Sequence, residues 1–400
     1  MNADNDVSTP HHADRAELRR LLTLDRHIVE IASWLAPSRL LNPTLDSRRA
    51  AMTSFRAALQ RHHVEDPTFA YLPLPFDLID ATARALDALR FEDTEVDLLL
   101  QDQAHQLRLQ LDLLLARGTP RFGQLAAQIY GLPDAALLNT AERILQGLYL
   151  VHDVPDTPEP LGGPRLNAAQ LADAMRDALL HMDIHDWQVV VVDEMSARMS
   201  VSARHREVRV KSDSLFSLED RDRLIIHELR THVRRACNGF QSGLLNLGLG
   251  LQDYMATEEG LASWMEQKHN LLRRAQIETY AWRALGASLG HQHGFAQTFR
   301  ELMARGASPS LAWDVTLRVK RGLEDTSISG CFPKDYVYLH GREIVHQYLR
   351  DGGSEDDLFL GKISIDQIPL IKRILHDWRF DLEAAHFTPT LPSPPQGAYA

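Results

Sequence analysis

Apolar residues recur every three to four positions through most of this chain, and that spacing predicts helices. From Ala16 to Ala36 the run is Leu18, Leu21, Leu22, Ile28, Ile31 and Leu35, closed by Pro37. A second helix is predicted from Leu45 to Arg61, with Thr44 as its N-cap. Pro67 to Pro75 cannot be helical, because proline and the residues before it resist that conformation. It reads as an extended strap lying against the body of the protein. Glu92 to Ala116 carries an apolar stripe of Leu100, Ala104, Leu107, Leu111 and Leu114, and Gly118-Thr119-Pro120 stops it. Leu125 to Leu132 and Asp134 to Tyr149 give two further helices.

Val154 to Pro164, rich in proline and glycine, is the clearest punctuation and is read as a domain boundary. Beyond it the spacing changes. Asn167 to Met182 is helical, and the Val-rich run Trp187 to Asp193 reads as a buried strand. Met199 to Ala203 and Glu207 to Ser212 alternate apolar and polar residues around a turn at His205-Arg206, which predicts an antiparallel pair. Such a pair either only supports the following helix or offers an edge strand to a peptide. Helical spacing then returns from Leu224 to Phe380. The expected class is α+β, predominantly helical. Residues 1–14 form a disordered start, 15–153 a helical scaffold, 154–166 a linker, 167–385 the functional domain and 386–400 a flexible, proline-rich tail.

Composition narrows the function. A net charge of −11 over 400 residues argues against a general affinity for nucleic acid or anionic membrane. Two cysteines, Cys237 and Cys331, make no disulfide framework and fit a reducing, cytoplasmic setting. The polar start has no apolar core of a signal peptide, and no stretch approaches the length of a membrane span.

The chemistry concentrates in Arg223 to Ala236, where Leu224, Ile225 and Ile226 lead into His227, Glu228 and His232. Two histidines and a glutamate on a buried helix suggest a metal site with a built-in general base. The spacing is unusual. The common motif, H-E-x-x-H, puts its histidines at i and i+4, about 40° apart around a helix; here they lie at i and i+5, about 140° apart. A π-type distortion absorbs one extra residue, so one is predicted between His227 and His232. A third ligand is expected on another element. Ala256 to Trp264 offers Glu258 and Glu259 beside Gly260 and Ala262, small residues that let another helix approach; Thr257 would cap the start of that helix.

Glu259-Gly260-x-Ala262 resembles the Asn-Glu-Gly-x-Ala segment of aminopeptidase N-like zinc enzymes, in which the Glu before Gly binds zinc. A wider resemblance follows. His227-Glu228-x-x-Thr231-His232, then Asn238-Gly239, then Thr257 to Ala262, are similar to the bacterial QEGLA-motif proteins, relatives of the microtubule-associated tyrosine carboxypeptidases. Arg321-Gly322, Gly330, Phe332, Lys334-Asp335, Tyr338-Leu339 and Gly341 extend it, as do stretches around Phe69 to Leu74 and Arg117 to Pro133. The chain departs from the family pattern at Glu258 (usually Gln), Pro333 (usually Thr) and Arg230 (commonly Gly).

The resemblance implies a zincin-like domain with a small antiparallel sheet before the metal helix. It implies that His227, His232 and Glu259 hold Zn²⁺, with Glu258 as a cap or supporting residue and Glu228 as general base. The implied activity is removal of a carboxy-terminal Tyr or Phe from a peptide or protein. A carboxypeptidase needs a cation for the terminal carboxylate, and Arg321 and Lys334 are the candidates. Tyr336 and Tyr338 are candidates to steady the oxyanion. An endopeptidase or aminopeptidase could use the same centre, and a non-catalytic metal-binding regulator is the alternative of a different class.

Overall fold

Capping residues fix where many of the helices begin. The computed structural model describes residues 15–34, 37–148, 164–193, 195 and 197–384. The expected disordered start, flexible tail and most of the linker lie outside these. Before the first strand run α1 (Arg15–Ser33), α2 (Pro37–Leu41), α3 (Leu45–Gln60), α4 (Phe76–Asp87), α5 (Glu95–Leu115), α6 (Arg121–Tyr130) and α7 (Ala135–Leu145). Thr44 accepts a hydrogen bond from the Ser47 amide at 3.3 Å, as predicted. Thr94 and Asp134 cap α5 and α7 in the same way. Helix α4 has no counterpart in the sequence reading. Its buried face is only Ile79, Thr82 and Leu86, and a polar residue in that stripe weakens the period.

The second half opens with β1 (Arg165–Asn167), so residues 165 and 166, read as the end of the linker, already belong to a strand. Then come α8 (Ala168–His181), β2 (Gln188–Val192), β3 (Met199–Ser202), β4 (Glu207–Lys211) and β5 (Leu215–Ser217). Strands β3 and β4 pair antiparallel as predicted. The sheet as a whole is mixed, in the order β2-β4-β3, because β2 pairs parallel with β4. β1 and β5 form a separate antiparallel pair. The small sheet expected to be antiparallel is therefore corrected to a mixed one: periodicity locates strands but carries no information about their pairing.

Three buried clusters hold the molecule together. One joins Leu18 and Ile28 of α1 and Leu100 and Leu114 of α5 to Ile226, Leu261 and Ile371 from the second half. The second gathers α7 with Phe295, Trp313 and Leu285. The third lays α8 and the sheet under Leu229, Val233 and Ala236. The strap at Pro67–Pro75 is extended. Tyr71 Oη donates to the Leu323 carbonyl at 2.8 Å and accepts from the Gly322 amide at 2.9 Å. It thus lies against the segment that begins at Arg321.

The Arg20 guanidinium ties α1 to α5 through a two-pronged bond to Asp97, at 2.8 and 2.6 Å. That bond to Arg20 holds the Asp97 carboxyl down at about 2. The contribution is present above the ordinary carboxylate value and is lost as pH falls through about 2. Asp97→Asn is expected to cost about 2 kcal/mol near neutral pH, and the gap to wild type should close on acidification towards pH 2. Denaturant melts at several pH values check this.

Candidate metal centre

The helix that carries the motif is not regular. Helix α9 (Leu218–Leu224) passes into a π segment, Ile225–Val233, and then into α10 (Arg234–Gln241). The distortion predicted from the i,i+5 spacing is therefore present where the histidines are. Thr231 Oγ1 donates to the Ile226 carbonyl five residues back, at 3.0 Å. The His227 and His232 rings consequently meet edge to face with centroids 4.7 Å apart.

After α11 (Leu245–Leu249), α12 (Tyr254–Lys268) crosses this segment and brings Glu259 to the rings. Its Oε2 lies 3.6 Å from His227 Nε2 and 3.9 Å from His232 Nε2. Among the described residues, this is the one group of three or more His, Cys, Asp or Glu whose potential ligand atoms converge, all within 4.8 Å. Glu259 Oε2 is buried and has no hydrogen-bond partner. Donors around a tetrahedral zinc at roughly 2.0–2.2 Å stand about 3.4 Å apart. The spacing and the orphaned oxygen fit such an ion, as does a set of two imidazoles and one carboxylate.

The far nitrogens are also occupied. Glu266 Oε1 lies 2.7 Å from His227 Nδ1, and Glu258 Oε1 lies 2.9 Å from His232 Nδ1. Each imidazole is thereby held by its Nδ1 and presents Nε2 to the centre, the usual arrangement of carboxylate-supported metal histidines. Burial pushes the His227 pKa down, but Glu259 and Glu266 overcome it and hold the imidazole well above its ordinary value. The pocket therefore favours positive charge at this point. Burial likewise pushes Glu259 up, but the two histidines hold it below the usual carboxylate range.

Glu258 faces away from the centre. It is 4 % exposed and takes bonds from Arg235, Lys362 Nζ at 2.7 Å and His232. The expected cap at Thr257 is corrected: α12 begins at Tyr254, one turn earlier, and Thr257 Oγ1 instead accepts from the Ile365 amide at 3.0 Å. Glu228 is half-buried beside His227. Glu266 was not singled out from sequence. Its signal was available, because it follows Glu259 by seven residues, two turns along the same helix face.

Beyond α12 run α13 (Arg274–Gln292), α14 (Phe295–Ala304), α15 (Pro309–Lys320), α16 (Val337–Arg350) and α17 (Ile368–Ala384). Helices α12 and α16 cross at glycines, as the small residues suggested. A Cβ on Gly260 would meet the Gly341 carbonyl oxygen at 2.1 Å, and one on Gly341 would meet that of Ala256 at 2.0 Å. This contact sets Tyr338, one turn before Gly341, close to Glu259. The Glu259 charge is the first of the influences that raise the Tyr338 phenol well above its ordinary value.

Of the other substrate candidates, Arg321 and Tyr336 are held by other partners, while Lys334 lies within reach of the Glu259 charge. Arg321 Nη2 is bonded to Asp335 at 2.9 Å, and its guanidinium covers the Phe332 ring. Tyr336 donates its hydroxyl to the Tyr130 carbonyl at 2.8 Å, which leaves it bound to scaffold rather than aimed at the centre. Arg321, Lys334 and Tyr336 do line one cleft of about 1070 Å³, between α5, α6, α12 and α16. The cleft reaches towards the centre at Ala256 and Thr257, but the three converging donors are not among its lining residues. Burial, and then Arg321, lower the Lys334 pKa.

The fold and these donors define a predominantly helical α+β protein in which a π-distorted His-Glu-x-x-x-His helix faces a glutamate on a crossing helix. The sequence profile of the microtubule-associated tyrosine carboxypeptidases matches residues 54–390, and the chain belongs to that family. It is similar to microtubule-associated tyrosine carboxypeptidase 1 of Mus musculus, 35% identical over 159 residues (37% of this chain, 32% of the mouse protein). To the protein of that name from Homo sapiens it is 36% identical over 126 residues (30% and 26%). The match thus spans about a third of the mouse relative and about a quarter of the human one. Among the described residues, no helix is long and apolar enough to cross a membrane.

Proposed function

We propose that this protein is a zinc-dependent metallocarboxypeptidase that removes a carboxy-terminal Tyr or Phe from a peptide or protein. The observation that carries the reading is the convergence of His227 Nε2, His232 Nε2 and Glu259 Oε2. The printed names of the relatives, tyrosine carboxypeptidases, supply the substrate end. Bound there, zinc would supply an activated water and a Lewis acid for the scissile carbonyl. Glu228, adjacent to a ligand but outside the converging set, takes the proton of the attacking water and passes it to the leaving amine. Tyr338, beside Glu259, donates to the oxyanion as the tetrahedral centre forms. Its raised pKa keeps that proton available at neutral pH. Glu258 and Glu266 hold the imidazoles in orientation. Arg321, Lys334 and Tyr336 contribute to the cleft beside the centre.

The test is zinc per chain by elemental mass spectrometry, followed by turnover of peptides ending in Tyr. About one zinc per wild-type chain is expected, falling to near zero in His227→Ala. Cleavage of the free acid should stop when the terminal carboxyl is amidated. Wild-type protein that takes up no zinc, or cleavage that ignores the amide, would overturn the reading.

A further inference from the structure

The cleft beside the centre carries more negative than positive charge. Among the described residues, its charged side chains are Arg321, Lys334, Asp253, Asp351 and Asp366. Arg321 is neutralised by Asp335, whereas none of the three cleft carboxylates is ion-paired among the described residues. Lys334 feels the Glu259 charge and so belongs to the part of the cleft nearest the centre. Asp253 and Asp366 act on each other instead. Burial raises the Asp253 carboxyl, Gln252 bonds to it and lowers it, and the Asp366 charge raises it again; neither Lys334 nor any other cation takes part.

Two exposed carboxylates alone would be a solvated rim. The wall beside them carries a second, independent feature. Gln103 and Gln106 share one face of α5 and both line the cleft. Gln106 is 8 % exposed, and its Oε1 is buried with no hydrogen-bond partner. Gln103 Oε1 is buried and orphaned as well. Gln103 Nε2 donates to the Gly250 carbonyl at 3.2 Å, which sets this face of α5 against the segment that ends in Asp253. Buried acceptors without a donor are rare in folded proteins, and here two stand beside two unpaired carboxylates. Everything unspent at this end of the cleft accepts hydrogen bonds. The ligand that fits brings donors and positive charge and no acceptor of its own, which describes an ammonium or a guanidinium. The cleft carboxylates are not among donors that converge as those of a metal do, so the cation is organic.

We propose that the Asp253 end of the cleft binds a lysine or arginine side chain of the substrate, upstream of the scissile bond. The inference rests on the peptidase reading above and deepens it, by assigning a charge preference to the part of the substrate that is not released. Its register follows from α12. Asp253 precedes the helix and Glu259 lies six residues further on, about 9 Å along the axis, which an extended peptide spans in about three residues. The basic residue is therefore expected third before the cut.

The experiment uses zinc-loaded, full-length Glu228→Gln protein, on which peptides bind without being consumed. Acetyl-Ala-Xaa-Ala-Ala-Tyr is titrated calorimetrically at low salt with Xaa as Lys, Ala or Glu. The Lys peptide is expected to bind about tenfold more tightly than the Glu peptide, with Ala between them and the spread narrowing at high salt. Asp253→Asn with Asp366→Asn should bring the Lys-to-Glu ratio close to one without changing zinc per chain; asparagine tolerates the left-handed backbone of position 253. Gln106→Leu should remove part of the preference. Moving the lysine next to the tyrosine should lose most of the gain. A gain that is equal at every position is only the long-range attraction of an acidic protein and overturns the proposal, as does a preference that survives the double Asn variant. The two readings fail separately. If lysine is preferred through Asp253 and Asp366 yet the Glu228-intact protein cleaves nothing, the peptidase reading falls and the cation site stands. If Tyr-ended peptides are cleaved with the same KM whether Xaa is Lys or Glu, the site falls alone.

Discussion

Glu228→Gln is expected to keep its zinc and lose its turnover. The substitution preserves the shape of the side chain, and Glu228 is outside the set of atoms that converge on the centre, so metal content should stay at the wild-type ratio. An amide cannot take up the water proton. General acid–base groups contribute about 10²–10⁴-fold, so kcat should fall by about a thousandfold with KM little changed. Glu228 lies in the π segment next to His227, and its charge acts on that imidazole. Single-turnover assays beside elemental analysis check both halves of the expectation. A variant that still hydrolyses at a tenth of the wild-type rate would remove Glu228 from the proton-transfer role.

Glu258 and Glu259 are neighbours with opposite expected phenotypes. Glu258→Gln takes one negative charge from a buried group that also holds Arg235, fully inaccessible to solvent, and Lys362, 6 % exposed. Two buried cations would be left without a full counter-charge, a loss of about 3–5 kcal/mol. For a chain of this size that lowers Tm by roughly 5 °C. The pH dependence has a definite sign. Burial raises the Glu258 pKa, but Lys362 and Arg235 overcome it and hold the carboxyl well below 4.5. Its contribution is therefore present at neutral pH and above the ordinary carboxylate range, and disappears as pH falls through the depressed folded value. The melting gap between Glu258→Gln and wild type should accordingly shrink in acid. Glu259→Gln should lose zinc while metal-free Tm changes much less than in Glu258→Gln, because its orphaned oxygen makes no protein hydrogen bond to lose. Calorimetric melts of the two metal-free variants separate these cases. Equal losses of stability would contradict the division of roles.

The sequence by itself determined the local features. Helical spacing located α1, α3 and α5, because each buries a regular stripe against a large core. The i,i+5 histidines required a π distortion because a regular helix would point them apart, and Gly260 announced a close helix crossing because it has no Cβ. Tertiary structure decided the rest. That β2 would join β4 in parallel was not legible, because pairing depends on residues far apart in the chain. Thr257 looked like a cap until Tyr254 extended the helix and gave its hydroxyl a different partner. The supporting glutamate Glu266 acquires meaning only from what faces it across a helix contact. Arg321 illustrates the limit most directly: the sequence supplies a cation, but only the fold reveals that Asp335 neutralises it. Residue type and local spacing set which chemistry is available. Which charges stay free to use it depends on long-range contacts, and those exist only once the chain has folded.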